Sequence, residues 1–532
     1  MRILIIILLH LIILLTHPVF GQYWEKFYGV EETYDYIGSL NKSYDGGYIF
    51  GGYSGKYQEI GGTRLYKIDI NGDTLWSRSL VLNEIIEMLQ FKPTDDGGFI
   101  ICGIYYLNNK SKPFVSKFNA CAEPEWCKIF MSDNHFASGS NLVVLNNGNY
   151  MLLLLNMGDL HTEMTFLVKL NQSGELLWGK PVIDHNVYPE AFQPVMTKMI
   201  KTTNNEDILV AGNAYWKNPW NEQYVIRPTF AMYDTQGNEK WVTPFGLADT
   251  LYGIGSRCME LDSGQFLCTG RHRMYGTILQ NGYLILLDSS GVIQDYRIVF
   301  PEDINDEWYG LFFDDLQKFD SSIVLNLSYF IAPTVGLVGV INVNDDIFGE
   351  EFGVNALELL PDMIYPHMLA RDEDKLFYGT QYRLNAYDYD IYLRKMNAML
   401  ELDSIMPDTN VYDSLCPHPI TYSEIFLDNC DFIDIAYGIE EHRTNHGKTD
   451  IFRILVSPNP VSGNMRLSFP DAEINRGVRI SIFNAYGQVL ESYKLENRQE
   501  INHDTGHWPA GLYLVVAFKN GVNIGMCKFI KL

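Results

Sequence analysis

The chain has 532 residues, 40 of them basic and 65 acidic, giving a formal charge of −25 and a pI near 4.8. That balance excludes a nucleic-acid binder, whose phosphate contacts need basic side chains. A hydrophobic content of 47%, with 14% aromatic, excludes a disordered chain.

The N-terminus reads as an export signal. Arg2 is the only charge before an apolar run from Ile3 to Leu15, too short for a bilayer and right for a signal-peptide core. Pro18 ends the run, and the small residues Val19 and Gly21 predict cleavage before Gln22. No cysteine follows the cut, so a lipoprotein is not expected, and no later apolar run predicts a transmembrane segment in the mature chain.

Export permits disulfides among the eight cysteines. Cys121 and Cys127 flank a short connection, and Cys416 and Cys430 bracket a segment outside any repeat; these four are the disulfide candidates. Cys102, Cys268 and Cys527 sit in apolar strands and read as free buried thiols. The absence of a CxxC spacing gives no zinc or thioredoxin-like site.

From residue 22 the chain repeats itself. Asp45-Gly46-Gly47-Tyr48-Ile49-Phe50-Gly51-Gly52 returns as Asp96-Gly97-Gly98-Phe99-Ile100-Ile101-Cys102-Gly103 and, more weakly, around Asn147, Asp207, Asp262, Asp320 and Asp374, making seven copies. A second element follows, as Lys67-Ile68-Asp69-Ile70-Asn71-Gly72-Asp73-Thr74-Leu75-Trp76, and recurs with Trp126, Trp178 and Trp241. Each element is two β-prone runs around a tight turn, where Gly supplies φ > 0 for a two-residue hairpin. Two hairpins make a four-stranded unit, which for the first copy covers about 35–44, 48–54, 64–70 and 73–80. Such a unit cannot bury both faces alone, so the copies stack, and seven of them close radially as a β-propeller rather than a β-solenoid. Tyr23-Trp24-Glu25-Lys26-Phe27-Tyr28-Gly29 resembles an orphan fourth strand able to close the ring, although Met399–Ile405 competes for that place.

Together these motifs, over about 22–408, resemble the propeller repeats of secreted Bacteroidetes proteins. The Asp…Gly…Leu-Trp half is similar to the tryptophan-docking repeat of quinoprotein propellers, which implies that Trp76, Trp126, Trp178 and Trp241 lock neighbouring blades.

From residue 451 the repeat is gone. Pro458-Asn459-Pro460, Asn484-Ala485-Tyr486-Gly487-Gln488-Val489, Pro509-Ala510-Gly511-Leu512-Tyr513 and the terminal Lys528-Phe529-Ile530-Lys531-Leu532 punctuate period-two runs, the pattern of a small immunoglobulin-like β-sandwich. This tail resembles the type A C-terminal sorting domain of the type IX secretion system. The resemblance implies passage through the outer membrane, partnership with the translocon and a sortase, and release or surface attachment. The expected architecture is therefore all-β: signal peptide 1–21, propeller 22–408, connector 409–450 and sorting domain 451–532.

No catalytic signature is present, neither HExxH, GxSxG, GxGxxG nor a P-loop. Asp69-Ile70-Asn71-Gly72-Asp73 lacks the glutamate of a calcium loop, and no adjacent cysteines suggest a quinone, so no cofactor is expected. The long loops after strands two and four share one face, the place for a ligand. There Asn213–Arg227 carries Tyr215, Trp216, Trp220 and Tyr224, suited either to stacking on sugars or to packing on neighbouring loops. Arg271 and Arg273 on the same face suit an anion. His135, His161 and His185 fall in three successive loops of that face beside Asp133, Asp159 and Asp184, a weak zinc candidate against scattered surface histidines. The expected role is a non-catalytic surface binding or adhesion module for a glycan or a surface protein. A propeller hydrolase or lyase acting on polysaccharide is the alternative, with acidic loops such as Glu302-Asp303-Ile304-Asn305-Asp306-Glu307 as the source of paired carboxylates.

Overall fold

The computed structural model describes residues 23–435 and 454–532, apart from short connections of which 158–163, 275–280 and 470–477 are the longest. The chain divides into two compact units, Met1–Glu440 and Glu441–Leu532.

Within the first unit the repeated hairpins set the architecture. In blade one, Thr33–Lys42, Tyr48–Lys56, Gly62–Ile68 and Thr74–Val81 pair antiparallel in chain order. Its first turn differs from the two-residue form expected. The Gly46 amide donates to Ser43 O at 3.2 Å and the Ser43 amide to Gly47 O at 2.7 Å, with Gly46 at φ 85°. This is a three-residue loop closed by a single left-handed residue, so one glycine suffices where a two-residue turn needs positive φ twice.

Blades two to six repeat the pattern, starting with Ile86–Pro93, Ser138–Val144, Ala191–Lys201, Leu251–Glu260 and Gly310–Phe319. Blade seven has three strands of its own, Met363–Asp372, Lys375–Asn385 and Asp388–Met396, and its fourth place is taken by Glu25–Tyr28, antiparallel to Asp388–Met396. The Met399–Ile405 segment supplies only the isolated bridges Met396 to Leu402 and Tyr23 to Ser404. The fold is a seven-bladed β-propeller closed by its N-terminal strand.

Tryptophans bind blade to blade by one device. A Cβ added at Gly174, Gly237 or Gly291, all left-handed, would lie within 2.3–2.7 Å of Trp126, Trp178 or Trp241 of the preceding blade. Indole Nε1 of Trp126 donates to Gln172 O and that of Trp241 to Ser289 O, both at 3.1 Å. Trp24, just before the closing strand, does the same to blade one: it packs on Gly72 and donates to Ile70 O at 2.8 Å. Trp76 is buried in the core between blades one and two.

The connector is no loose spacer. Glu424–Phe426 adds parallel to the outer strand of blade one, and Asp431–Asp434 adds parallel to Pro124–Met131, the outer strand of blade two. All four candidate cysteines are bonded, but across the sequence rather than locally. Cys121 joins Cys416 and Cys127 joins Cys430, with Cα–Cα distances of 5.4 and 4.6 Å. The strap runs along the blade edges, which carries Cys416 and Cys430 each to a blade-two cysteine. Cys268 is also corrected: it faces Cys258 in the blade-five register and bonds to it, Cα–Cα 4.0 Å. Cys102 and Cys527 are free.

The inner strands share an irregularity. The register slips between Ile37 and Ser39, Met88 and Gln90, Gly139 and Asn141, Met196 and Lys198, Gly255 and Arg257, and Phe313 and Asp315. Each slip is a β-bulge, which moves the following residues to the other side of the strand.

In the second unit, Leu455–Ser457, Asn464–Ser468 and Glu500–Asp504 form one sheet. Val489–Leu495, Val478–Asn484, Gly511–Lys519 and Val522–Lys531 form the other. The apolar faces of Phe469, Ile480, Trp508, Tyr513 and Phe529 make its core, as alternation predicts for a sandwich. The last strand, Val522–Lys531, is an edge.

Candidate ligand-binding channel

The inner strands of the ring enclose a cavity of about 760 Å³, walled by polar and apolar residues of blades one, two, four, five, six and seven. Its walls carry Lys42, Lys92, Lys198, Arg257, Arg271 and Arg371 against Asp314, Asp315 and Asp372. Basic side chains thus concentrate here on an acidic chain.

Every wall carboxylate is engaged. Arg257 Nε pairs with Asp315 Oδ1 at 3.2 Å, and Ser328 Oγ donates to Asp314 Oδ2 at 2.9 Å. Lys42 Nζ and Tyr48 Oη each donate to Asp372 at 2.9 Å. The Arg271 guanidinium lies 4.9 Å from the Phe312 ring centre, and Phe312 meets Phe330 at 6.0 Å. Burial lowers the Lys92 pKa to about 8, helped by the like charges of Arg257 and Lys198 and opposed by Asp315. Lys198 is lowered by the same burial and by Arg257. Burial pushes the nearby Cys102 thiol up, leaving it inert. His272, buried beside Arg271 in the chain with both ring nitrogens unpartnered among the described residues, is lowered by burial to about 4 and is neutral at pH 7.

Of the residues expected on the loop face, Arg271 lines this cavity, while Arg273 lies on the same strand, Phe266–Met274. The aromatic platform does not form as expected. Trp216 is only 6% exposed, because Ile208–Lys217 continues as strand and turns it inward, where Nε1 donates to Thr229 Oγ1 at 3.0 Å. Tyr215 and the exposed Tyr224 instead flank Phe192, at 6.3 and 5.9 Å between ring centres. Trp220, His135, His161 and His185 lie outside the described residues. No metal-binding cluster occurs among the described residues, and no helix there is long and apolar enough to cross a membrane.

Sequence reasoning missed Lys92, Lys198 and Arg257. A signal existed: Ser39, Gln90, Asn141, Arg257 and Asp315 each stand five or six residues before the first residue of the repeated turn. Polar residues at a nearly constant offset from the turn mark a shared inner layer.

Residues 455–531 match the family described as the secretion system C-terminal sorting domain. No curated protein matches the chain in sequence. Among solved structures, the polysaccharide lyase Uly1 aligns at 12% identity and a TM-score of 0.47, over 72% of this chain and 94% of that one. Drosophila Semaphorin 1a, extracellular domains 1–2, aligns at 10% and 0.40, over 70% and 88%. PorZ, a surface component of the type IX secretion system of Porphyromonas gingivalis, aligns at 10% and 0.26, over 93% and 81%. The chain joins a seven-bladed β-propeller to a C-terminal sorting domain of the type IX secretion system, the address of a secreted or cell-surface protein.

Proposed function

We propose that this is a non-catalytic binding or adhesion protein whose ligand, a glycan or a surface protein, enters the channel of the ring. One observation carries the reading: a cavity of about 760 Å³ is walled by inner strands whose carboxylates are all held by donors. Carboxylates held by donors are fixed in place and suit the orienting of a ligand's hydroxyls. In this reading residues 1–21 are a removed signal peptide and 409–450 a connector, while 451–532 meets the translocon and sortase. A glycan-array and surface-extract binding screen on the full chain tests it, with Arg271→Ala as the channel variant. Binding lost in that variant supports the channel; binding retained by it, with loss on Tyr224→Ala, moves the site to the outer aromatics.

A second reading, a polysaccharide lyase or hydrolase, is favoured by one feature. Lys92, held near 8, has a neutral fraction at neutral pH able to take a proton from carbon beside a uronate carboxylate. Release of unsaturated sugar, followed by ultraviolet absorbance and abolished in Lys92→Met, would establish the lyase.

A further inference from the structure

We propose that Lys92, Lys198 and Arg257 form an oxyanion site inside the ring, taking a carboxylate, sulfate or phosphate group of the ligand, an assignment that rests on the channel being the ligand site. The bulges place it. The first residue after each register slip is Ser39, Gln90, Asn141, Lys198, Arg257 or Asp315, equivalent positions of six successive blades, and none is apolar. All but Asn141 line the cavity, and Lys92, two residues beyond Gln90 on its strand, lines it too. Lys198 and Arg257 therefore stand at one level on neighbouring blades.

The charge within this layer is unbalanced. Its one carboxylate, Asp315, is already paired with Arg257. Neither Lys92 nor Lys198 has a hydrogen bond or ion pair among the described residues. Elsewhere the chain treats buried ammoniums differently. Lys67 is held by Asp45 and Asp413, Lys117 by Asp96 and Glu125, and Lys395 by Asp403. Two half-buried ammoniums close to a guanidinium repel one another and lower stability, a feature natural proteins keep where function uses it. An oxyanion among them would accept charge-assisted hydrogen bonds from all three and cancel the repulsion. Around Lys92 the charged and titratable groups are Arg257, Lys198, Asp315 and Cys102; around Lys198 they are Lys92, Arg257, Asp315, Asp314 and Cys102. The bound anion stabilises the ammonium form, so binding takes up protons above neutral pH and weakens as pH rises past about 8.

Calorimetric titration of the full chain with sodium sulfate, inorganic phosphate and glucuronate, at ionic strength matched with chloride, tests the site. At least one anion is expected to bind, with proton uptake at pH 8 seen in buffers of different ionisation heat. Lys92→Gln and Lys198→Gln should each weaken it roughly tenfold or more, and Lys198→Arg should retain it. In anion-free buffer both glutamine variants should melt at or above the parent temperature. No response to any of the three anions, equal affinity in the glutamine variants, or glutamine variants that melt well below the parent would each overturn the site. Neutral glycans bound on the array alongside silence toward the anions would sink the oxyanion site alone and leave the channel reading standing.

Discussion

Glu25 and Arg394, 369 positions apart in sequence, are register partners across the ring closure, and Arg394 Nη2 donates to Glu25 Oε1 at 2.8 Å. Arg394 Nη1 reaches Glu358 of blade six at the same distance. One guanidinium thus clamps the N-terminal strand to blade seven and blade seven to blade six. Arg394→Ala is expected to cost about 2 kcal/mol, less than a fully buried pair because Glu25 is 35% exposed. Urea denaturation checks this, and Glu25→Gln, which keeps an acceptor, should lose less.

The docking of tryptophans on left-handed glycines separates two effects of one substitution. Gly237 and Gly264 have nearly equal φ, 72° and 75°, but a Cβ at Gly237 would lie 2.6 Å from Trp178 while one at Gly264 meets nothing. Gly264→Ala should lower stability by about 1 kcal/mol, the penalty of a left-handed alanine, and Gly237→Ala by clearly more. Thermal unfolding of the two variants side by side gives the difference; equal losses would mean that the indole is not packed as described.

Acid stability should respond in opposite directions to two buried aspartates. Burial alone would raise Asp45, but the Lys67 ammonium and the amides of Asp413 and Gly47 outweigh it and set its pKa below the usual 3.8. The folded chain binds that proton more weakly than the unfolded chain, so Asp45 stabilises above 3.8 and loses this as pH falls through the lowered value. Asp35 is the reverse. Burial raises its pKa despite donors from Ser54, Thr33 and Val30, so its contribution improves as pH falls through the raised value toward 3.8. Denaturation midpoints measured from pH 6 downward, a range of about three units, should fall less steeply in Asp45→Asn than in the parent, and more steeply in Asp35→Asn.

Two disulfides tie the strap to blade two over sequence separations of 295 and 303, whereas Cys258 to Cys268 spans only 10. Loop-closure entropy grows slowly with loop length, so Cys127→Ser with Cys430→Ser should cost about 3–5 kcal/mol and the blade-five pair less. Guanidinium unfolding of the two double variants ranks them. Hydrogen exchange at Asp431–Asp434 should rise only in the strap variant.

Much of the scaffold was legible because its causes are local. Asp45-Gly46-Gly47 turns the chain wherever it stands, and Trp24 announces a fourth strand by resembling Trp76 in its setting. The failures come from relations that a linear pattern does not carry. Cys121 reaches Cys416 because the strap returns to the blade edge, and four cysteines permit three pairings. The Asn, Pro and Lys of Asn213–Arg227 point to a loop at Trp216, while the strand pairing in fact runs on to Lys217 opposite Tyr224. The channel wall was hidden for a third reason. A bulge in the inner strands of blades one to six exchanges the faces, so simple alternation misassigns Lys198 and Arg257.

The strap also decides how the ring would bear tension. A pull on the chain beyond residue 435 first reaches the short pairing of Asp431–Asp434 on blade two and then meets the covalent link from Cys430 to Cys127. Force therefore enters at the second blade and bypasses Asp388–Met396, the last strand of the ring's own series. A propeller tethered through its C-terminus and loaded by a captured ligand would be held by sulfur bonds at blade two, with the hydrogen-bonded closure at Glu25–Tyr28 kept out of the load path.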